Sequence, residues 1–443
     1  MKRRSLLAAT AALAAIPGLR PARAAGTKIV WWHAMTAANG DNLNKLVAAF
    51  NASQSEIEVQ PVYKGAYADT LTAAIAAYRA GQAPHLVQMF EVGTGTMLAA
   101  GKAVKQIWEL SQESGVAIDP AQFIPAVRGY YSLPDGKLAS MPFNSSTAML
   151  WYNKDMFAKA GLNPDAPPAT WDDAIAACRA LKTKANVEIP MTTSWPCWIQ
   201  MEQYSAIHDL PFATEADGFD GLGAELKINS PAHVKQLQRL MDMTQEGLFR
   251  YTGRGDTGEN LFPAEKVALM FESSGDRGLY GRTCKFNWGE AMLPYDPQVK
   301  AQPNNSVIGG ASLWVMTTPD RTPAEYTGVA KFLAFLALPE NVKAWHEGTG
   351  YLPVTTAGYE LAAKEGWYEK NQGADLPIKQ LTRGHVTDNS RGFRLGRMPE
   401  IRNIVEEEME GALGGKVTAQ AALDNAVERG NKVLREFQKS IRS

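Results

Sequence analysis

Residues 28–90 read KIVWWHAMTAANGDNLNKLVAAFNASQSEIEVQPVYKGAYADTLTAAIAAYRAGQAPHLVQMF, and their periodicity decides the fold. Lys28–Trp32 is a short apolar, strand-like run. Asn42–Phe50 (NLNKLVAAF) repeats its apolar residues at helical spacing, Ile57–Tyr63 alternates like a strand, Leu71–Tyr78 is again helical, and His85–Phe90 (HLVQMF) is a third strand. Strand–helix–strand–helix–strand predicts a parallel sheet wrapped by helices, an α/β lobe. Further along, Leu138–Tyr152 is extended with an interruption at Pro142–Ser146, Trp171–Lys182 and Val234–Glu246 are helical, and Val267–Phe271 and Ser312–Met316 are extended. Roughly the last 45 residues are mostly helical. A chain of 443 residues, 45% hydrophobic, exceeds one ordinary core and predicts two domains. The loops are Gly/Pro-punctuated and short, so the lobes are expected to be joined by several crossings rather than one tether.

The first residues, MKRRSLLAATAALAAIPGLRPARAA, stand apart from this pattern. Lys2, Arg3 and Arg4 form a basic start, Leu6–Leu19 an apolar run, and Ala22-Arg23-Ala24 a small-x-small cleavage site, the signature of a signal peptide over 1–24. The apolar run is shorter than the roughly 20 residues that span a bilayer. Export to the periplasm as a soluble protein is the expectation. Cleavage removes five basic residues (Lys2, Arg3, Arg4, Arg20, Arg23) and no acidic one, moving the formal charge from −1 to −6. An acidic body without a basic run offers no footprint for nucleic acid. Three cysteines (Cys178, Cys197, Cys284) do not make a disulfide framework; at most one bridge forms.

Enzyme signatures are weak. Gly253–Gly258 (GRGDTG) matches G-x-G-x-x-G, but no strand precedes it and Pro263 follows too early for a phosphate-binding helix, so it reads as a Gly-rich surface loop. There is no G-x-S-x-G, H-E-x-x-H or C-x-x-C, and the six histidines are scattered. No catalytic residue, metal or cofactor is predicted.

Small polar clusters at strand boundaries are more informative. Asn144-Ser145-Ser146 and Ser273-Ser274-Gly275 read either as turns or as hydroxyl and amide donors to a ligand. Gly309-Gly310, ahead of SLWVM, permits close backbone approach. Open α/β sheets bind ligands at such strand ends. In FRLGRMPEIRN, Pro399 suits the first position of a helix, with Arg402 in its first turn. There Arg402 either pairs with Glu406 at i, i+4 or meets a bound phosphate. In TSWPCWIQ (193–200), Pro196 suits the first position of another helix, with Trp195 just outside and Trp198 in the first turn; the two indoles read as core packing or as a cleft wall.

The strings YKGAY (63–67), FEVGTGTM (90–97), PFNSSTAMLWYNKDMF (142–157), TWDDA (170–174), VIGGASLWVM (307–316), GTGYLPV (348–354) and RLGRMPEIR (394–402) occur in this order. Together they resemble the periplasmic solute-binding receptors of ABC importers, in the branch that binds glycerol-3-phosphate, from about residue 28 to the C-terminus. The resemblance implies a two-lobed fold with the ligand clamped between lobes, each a sheet flanked by helices: 25–143 with 311–349 as lobe 1, and 144–310 with 350–443 as lobe 2. Carried over by motif, Tyr67, Glu91, Ser146, Ser273, Gly310, Tyr351 and Arg402 would bind the ligand, and Trp195 and Trp198 would wall the cleft, packing on glycerol or caging a choline ammonium.

Those residue types suit the chemistry. A phosphate ester needs a planar bidentate donor (Arg402), hydroxyls (Tyr67, Ser146, Ser273, Tyr351) and a close backbone amide (Gly310). Glu91 is expected to accept from glycerol hydroxyls at the end away from the phosphate. The implied ligand is glycerol-3-phosphate or a glycerophosphodiester such as glycerophosphocholine, and the implied partner is an inner-membrane permease with its ATPase, served by a monomer. An uncharged oligosaccharide on the same fold is the alternative; a secreted phosphodiester hydrolase would need metal ligands or a nucleophile–base pair that the sequence does not offer. Two positions depart from the family: Pro196-Cys197 between the tryptophans, and Glu272 beside Ser273 where the family has a small residue.

Overall fold

The computed structural model describes residues 26–442, so the signal peptide expected at 1–24 lies outside the described residues. The chain builds two sheets. The first has the order β2-β1-β3-β10-β4, with β5 also on β10; these are β1 (Thr27–His33), β2 (Ile57–Tyr63), β3 (Leu86–Phe90), β4 (Val104–Lys105), β5 (Met141–Ser146) and β10 (Gly309–Met316). The second has the order β7-β8-β6-β9, from β6 (Ala148–Asn153), β7 (Ile189–Thr193), β8 (Val267–Ser273) and β9 (Trp288–Ala291).

The opening stretch folds as its periodicity predicts. β1 pairs in parallel with both β2 and β3, and helices α1 (Ala37–Ser53) and α2 (Tyr67–Arg79) are the crossovers. Every residue of β3 (LVQMF) is buried, which explains why it is apolar on both faces except at Gln88: a central strand is covered on both sides. On one face Ile29, Trp31, Leu86 and Leu313 pack against Leu43 and Phe50 of α1 and Val329 and Phe332 of α5 (Pro323–Leu336). In the second lobe, α3 (Trp171–Ala185) starts on a Thr170/Asp173 capping box and α4 (Pro231–Gln245) on a Ser230 cap with Pro231 in its first turn. Helices α7 (Met398–Leu413) and α8 (Ala419–Arg442) close the chain.

The interruption expected at Pro142–Ser146 is instead strand β5, antiparallel to β10, and the true break falls at Thr147. Small polar residues look like turn signals, but here Asn144 is wholly buried and satisfied: its Oδ1 accepts from Gln88 at 2.8 Å and its Nδ2 donates to the Tyr67 hydroxyl at 2.9 Å. Gly310 pairs with Ser145 where β10 lies against β5. Its φ is +77°, and a Cβ there would stand 1.9 Å from the Asn144 carbonyl oxygen, so no other residue fits.

The chain passes between the sheets at Thr147 and again near Ile308, side by side. Thr147 Oγ1 lies 2.9 Å from both Ser306 Oγ and the Val307 carbonyl. Gln203 holds Val307 from the other side by accepting from its amide at 3.1 Å and donating to its carbonyl at 3.0 Å. These are two of the expected crossings. All three cysteines are free thiols.

Candidate functional site

β1, β2 and β3 end together, and the residues just beyond their carboxyl ends face the second lobe across a cavity of about 270 Å³. That volume lies near the lower edge of the ~300–1,000 Å³ typical of small-molecule sites. All nine residues singled out in the sequence line it: Tyr67, Glu91, Ser146, Trp195, Trp198, Ser273, Gly310, Tyr351 and Arg402.

From the first lobe, the Tyr67 ring stacks on Phe90 with centroids 5.4 Å apart and planes 4° from parallel. A relay fixes its hydroxyl: the Ala34 amide donates to Gln88 at 2.8 Å, Gln88 donates to Asn144, and Asn144 donates to Tyr67. With its oxygen accepting from Asn144, the phenol keeps its proton to donate. Tyr351 stands beside it, stacked on Trp345 at 5.9 Å and 10°. Gly350, at φ +95°, turns the chain out of α6 (Pro339–Thr349) and delivers Tyr351 to the wall. Burial holds the Tyr67 phenol well above the usual range and lifts that of Tyr351 to about 12, so both are neutral donors.

From the second lobe, Pro196 opens a helix as its position predicts, and Trp198–Gln203 continue it as a π-helical turn. Trp195 lies outside at φ +46°, its amide donating to the Gly255 carbonyl at 2.6 Å. Trp198 is buried against Gly309, where a Cβ would come within 2.3 Å of the indole, and its Nε1 has no hydrogen-bond partner. Cys197 is not among the cavity-lining residues; it is wholly buried, its amide donates to Glu406 at 3.3 Å, and burial drives its thiol well above the usual range. The Pro-Cys pair therefore leaves the aromatic wall in place.

Arg402 corrects two expectations. Helix α7 begins at Met398, with Pro399 second, so Arg402 is in its second turn, buried. It does not pair with Glu406. Its Nε and Nη2 each donate to Glu202 at 2.7 Å, a bidentate pair, and Nη2 also donates to Glu91 at 2.5 Å. Glu91 is thus at the guanidinium and not at the opposite end of the site. Burial raises the Glu91 pKa against the pull of Arg402; burial lowers that of Arg402, but Glu202 and Glu91 outweigh it and hold the guanidinium charged. The two other arginines of FRLGRMPEIRN are structural: Arg394 donates to the carbonyls of Gly129, Tyr130 and Ser132, and partly exposed Arg397 pairs with Glu400 and Glu436.

Sequence reasoning missed most of the acidic wall. Asp256, Glu259, Glu272 and Asp276 line the cavity with Ser273. Asp256 and Glu259 come from the Gly-rich loop, which is on the surface as expected but also closes one side of the cavity. Ser273 Oγ accepts from the Gly275 amide at 3.0 Å, and its own amide donates to Glu272 at 2.7 Å. Burial lifts the Glu272 carboxyl to about 8, and burial with Glu272 next to it raises Asp276. Glu202 is wholly buried behind Arg402; its only sequence signal is a lone acid four residues after Trp198 in an otherwise uncharged run. No histidine lines the cavity, and no group of three metal-ligating side chains is found among the described residues.

The arrangement is that of a binding cleft: neutral phenols, serine hydroxyls, an indole N–H and a guanidinium converge from two lobes. Comparison with known proteins agrees. Residues 45–373 match the model of the bacterial extracellular solute-binding protein family. The chain is 46% identical over 419 residues to the sn-glycerol-3-phosphate-binding periplasmic protein UgpB of Pectobacterium atrosepticum, covering 94% of both, and 47% identical to that of Escherichia coli O6:K15:H31 at the same coverage. Among solved structures, UgpB from Mycobacterium tuberculosis in complex with glycerophosphocholine superposes with a TM-score of 0.77 at 19% identity, covering 93% of this chain and 99% of that one. The cyclic α-maltosyl-1,6-maltose binding protein from Arthrobacter globiformis superposes at 0.72 with 23% identity, covering 93% and 100%. At those identities the likeness concerns the fold alone. The chain belongs to the bacterial extracellular solute-binding proteins and has their two-lobed α/β fold.

Proposed function

We propose that this protein is a periplasmic receptor that captures sn-glycerol-3-phosphate and glycerophosphodiesters such as glycerophosphocholine, and delivers them to an inner-membrane ABC permease coupled to its ATPase. The observation that carries the reading is the convergence of nine motif residues on one cavity, in a chain nearly half identical to curated glycerol-3-phosphate-binding proteins along its length. Arg402, Ser146, Ser273, Tyr67 and Tyr351 donate to the phosphate and Trp198 packs on the glycerol backbone. Each charge-assisted hydrogen bond contributes about 1.5–3 kcal/mol net, so a few sustain micromolar affinity or better. The protein acts as a monomer, carries out no chemistry and uses no cofactor. Residues 1–24 export it. The lobes divide as 25–143 with 311–349 and 144–310 with 350–443, and ligand binding closes them on the cavity.

The test is calorimetric titration with sn-glycerol-3-phosphate, glycerophosphocholine and maltose in parallel. Binding of either phosphate ester with no response to maltose is the expected result. Tight maltose binding with no response to either ester would return the protein to the oligosaccharide receptors of this fold.

A further inference from the structure

Two buried side chains outside the cavity wall, Tyr130 and Arg394, stand at the seam between its two halves. Tyr130 belongs to the short helix Pro125–Tyr131 and packs with Trp31 and Leu313 in the core of the first sheet. Arg394 belongs to the stretch that leads into α7. There Phe393 packs on Phe212 with ring centroids 4.9 Å apart, and the Arg394 amide donates to the Asp217 carbonyl at 2.9 Å. Asp217 ends a run of three left-handed residues, Glu215–Asp217, a conformation that persists where the surroundings enforce it. The stretch is therefore held firmly on its own side.

The Arg394 guanidinium reaches back across the seam. It donates to the carbonyls of Gly129, Tyr130 and Ser132, acceptors that the ending helix leaves without helical partners, and it lies over the Phe219 ring at 4.1 Å. Burial brings its pKa down to about 10, so it is charged at neutral pH. A buried charge satisfied by a helix end fixes the two elements to each other. The Tyr130 hydroxyl lies 2.6 Å from the Glu91 carbonyl and 2.7 Å from that of Phe393, one proton between two acceptors. Gly392, at φ +107°, lets the backbone pass flush over the ring, since a Cβ there would stand 2.5 Å from it. Glu91 is thus gripped at both ends by one stretch of chain: its carbonyl through Tyr130 to Phe393, and its carboxylate by Arg402. Any slip of that stretch along the seam would move the Arg402 guanidinium against Glu91, and the closed ring of contacts opposes it.

Resting on the receptor reading above, we infer that Arg394 and Tyr130 are positioning residues for ligand capture: from outside the cavity they set the register of α7 against Glu91 and so aim the Arg402 guanidinium at the ligand's phosphate.

Double-mutant cycles test this, read by calorimetry with whichever of sn-glycerol-3-phosphate and glycerophosphocholine binds the wild type. Tyr130→Phe deletes a single hydroxyl and should weaken binding about fivefold, the scale of one neutral hydrogen bond. Arg394→Gln should weaken it about tenfold or more, the scale of charged ones. In an Arg402→Lys background the fork being aimed is gone, and both losses should shrink to within about twofold. A residue that merely supports the fold gives the same fold-loss in both backgrounds. That result, or wild-type affinity in both single variants, overturns the inference while the receptor reading stands. If neither ligand binds the wild type, the reading falls and the inference with it. Should Arg394→Gln or a double variant fail to fold, the cycle of Tyr130→Phe against Glu91→Gln decides in the same way: coupled losses support the inference and independent ones overturn it.

Discussion

Two groups of carboxylates lie in and behind the cavity wall, buried Glu91 and Glu202 in one and buried Glu272 with partly buried Asp276 in the other, and they are resolved in opposite ways. Glu91 and Glu202 both pair with Arg402, so a resident guanidinium offsets part of their combined charge inside the protein. Glu272 and Asp276 have no ion pair with a cationic side chain among the described residues, and burial pushes these two carboxyls up instead. Burying acid has a cost in either case. On one side a resident cation offsets it; on the other it is met by holding protons or by a ligand.

Removing the resident cation is the strongest way to break the contrast. Arg402→Ala leaves Glu91 and Glu202 buried without a partner and should lower stability by about 3–5 kcal/mol in chemical denaturation. In calorimetry it should weaken phosphate-ligand binding about tenfold or more. Unchanged affinity would show that Arg402 serves the fold alone.

The next test acts on the unmatched side and has the opposite sign. The folded-state carboxyl of Glu272 titrates at about 8, against 4.5 for the free group, with burial as the leading cause. A raised carboxyl contributes its full stability below pH 4.5 and loses it as pH climbs through 8. Glu272→Gln should therefore stabilise the protein by up to about 3 kcal/mol at pH 7 and by nothing at pH 4. Thermal melts across that range check it; a penalty at pH 7 would mean that Glu272 is matched after all.

Glu202→Gln sharpens the comparison from the matched side. Arg402 keeps Glu91, so the loss is smaller than for removing the cation, about 2 kcal/mol, measured in urea at neutral pH. The smallest effect belongs to the wall between the two groups. Gly309→Ala places a Cβ 2.3 Å from the Trp198 indole, and the overpacking should cost about 1–2 kcal/mol and lower ligand affinity through the displaced ring.

The elements legible in the sequence were those whose local pattern coincides with their environment. β1 to β3 and the helices between them show the periodicity of a covered parallel sheet, and the Pro196 and Ser230-Pro231 helix starts follow from backbone chemistry. β5 was misread because its polar residues are satisfied by Gln88 and Tyr67, partners far away in sequence. The nine motif residues converge because the family resemblance carried tertiary information that periodicity lacks. Asp256, Glu259, Asp276 and Glu202 come from a surface loop, a short turn after β8 and a π-helical turn, and nothing in their neighbours marks a carboxylate as facing inward. Glu91 was placed at the wrong end for a related reason: spacing says that an acid lies after a strand, not which cation waits across the cleft.

The flush contact of Trp198 on Gly309 has a mechanical meaning. Gly309 is the first residue of β10, immediately beyond the point where the chain leaves the second lobe to join the first sheet. The ring cannot tilt toward that backbone, and the backbone cannot swing toward the ring, without the other giving way. Ring position and backbone position at this crossing are therefore coupled. In the proposed receptor, a ligand settling against the indole would press directly beside a crossing between the lobes, like a hand on a door beside its pin.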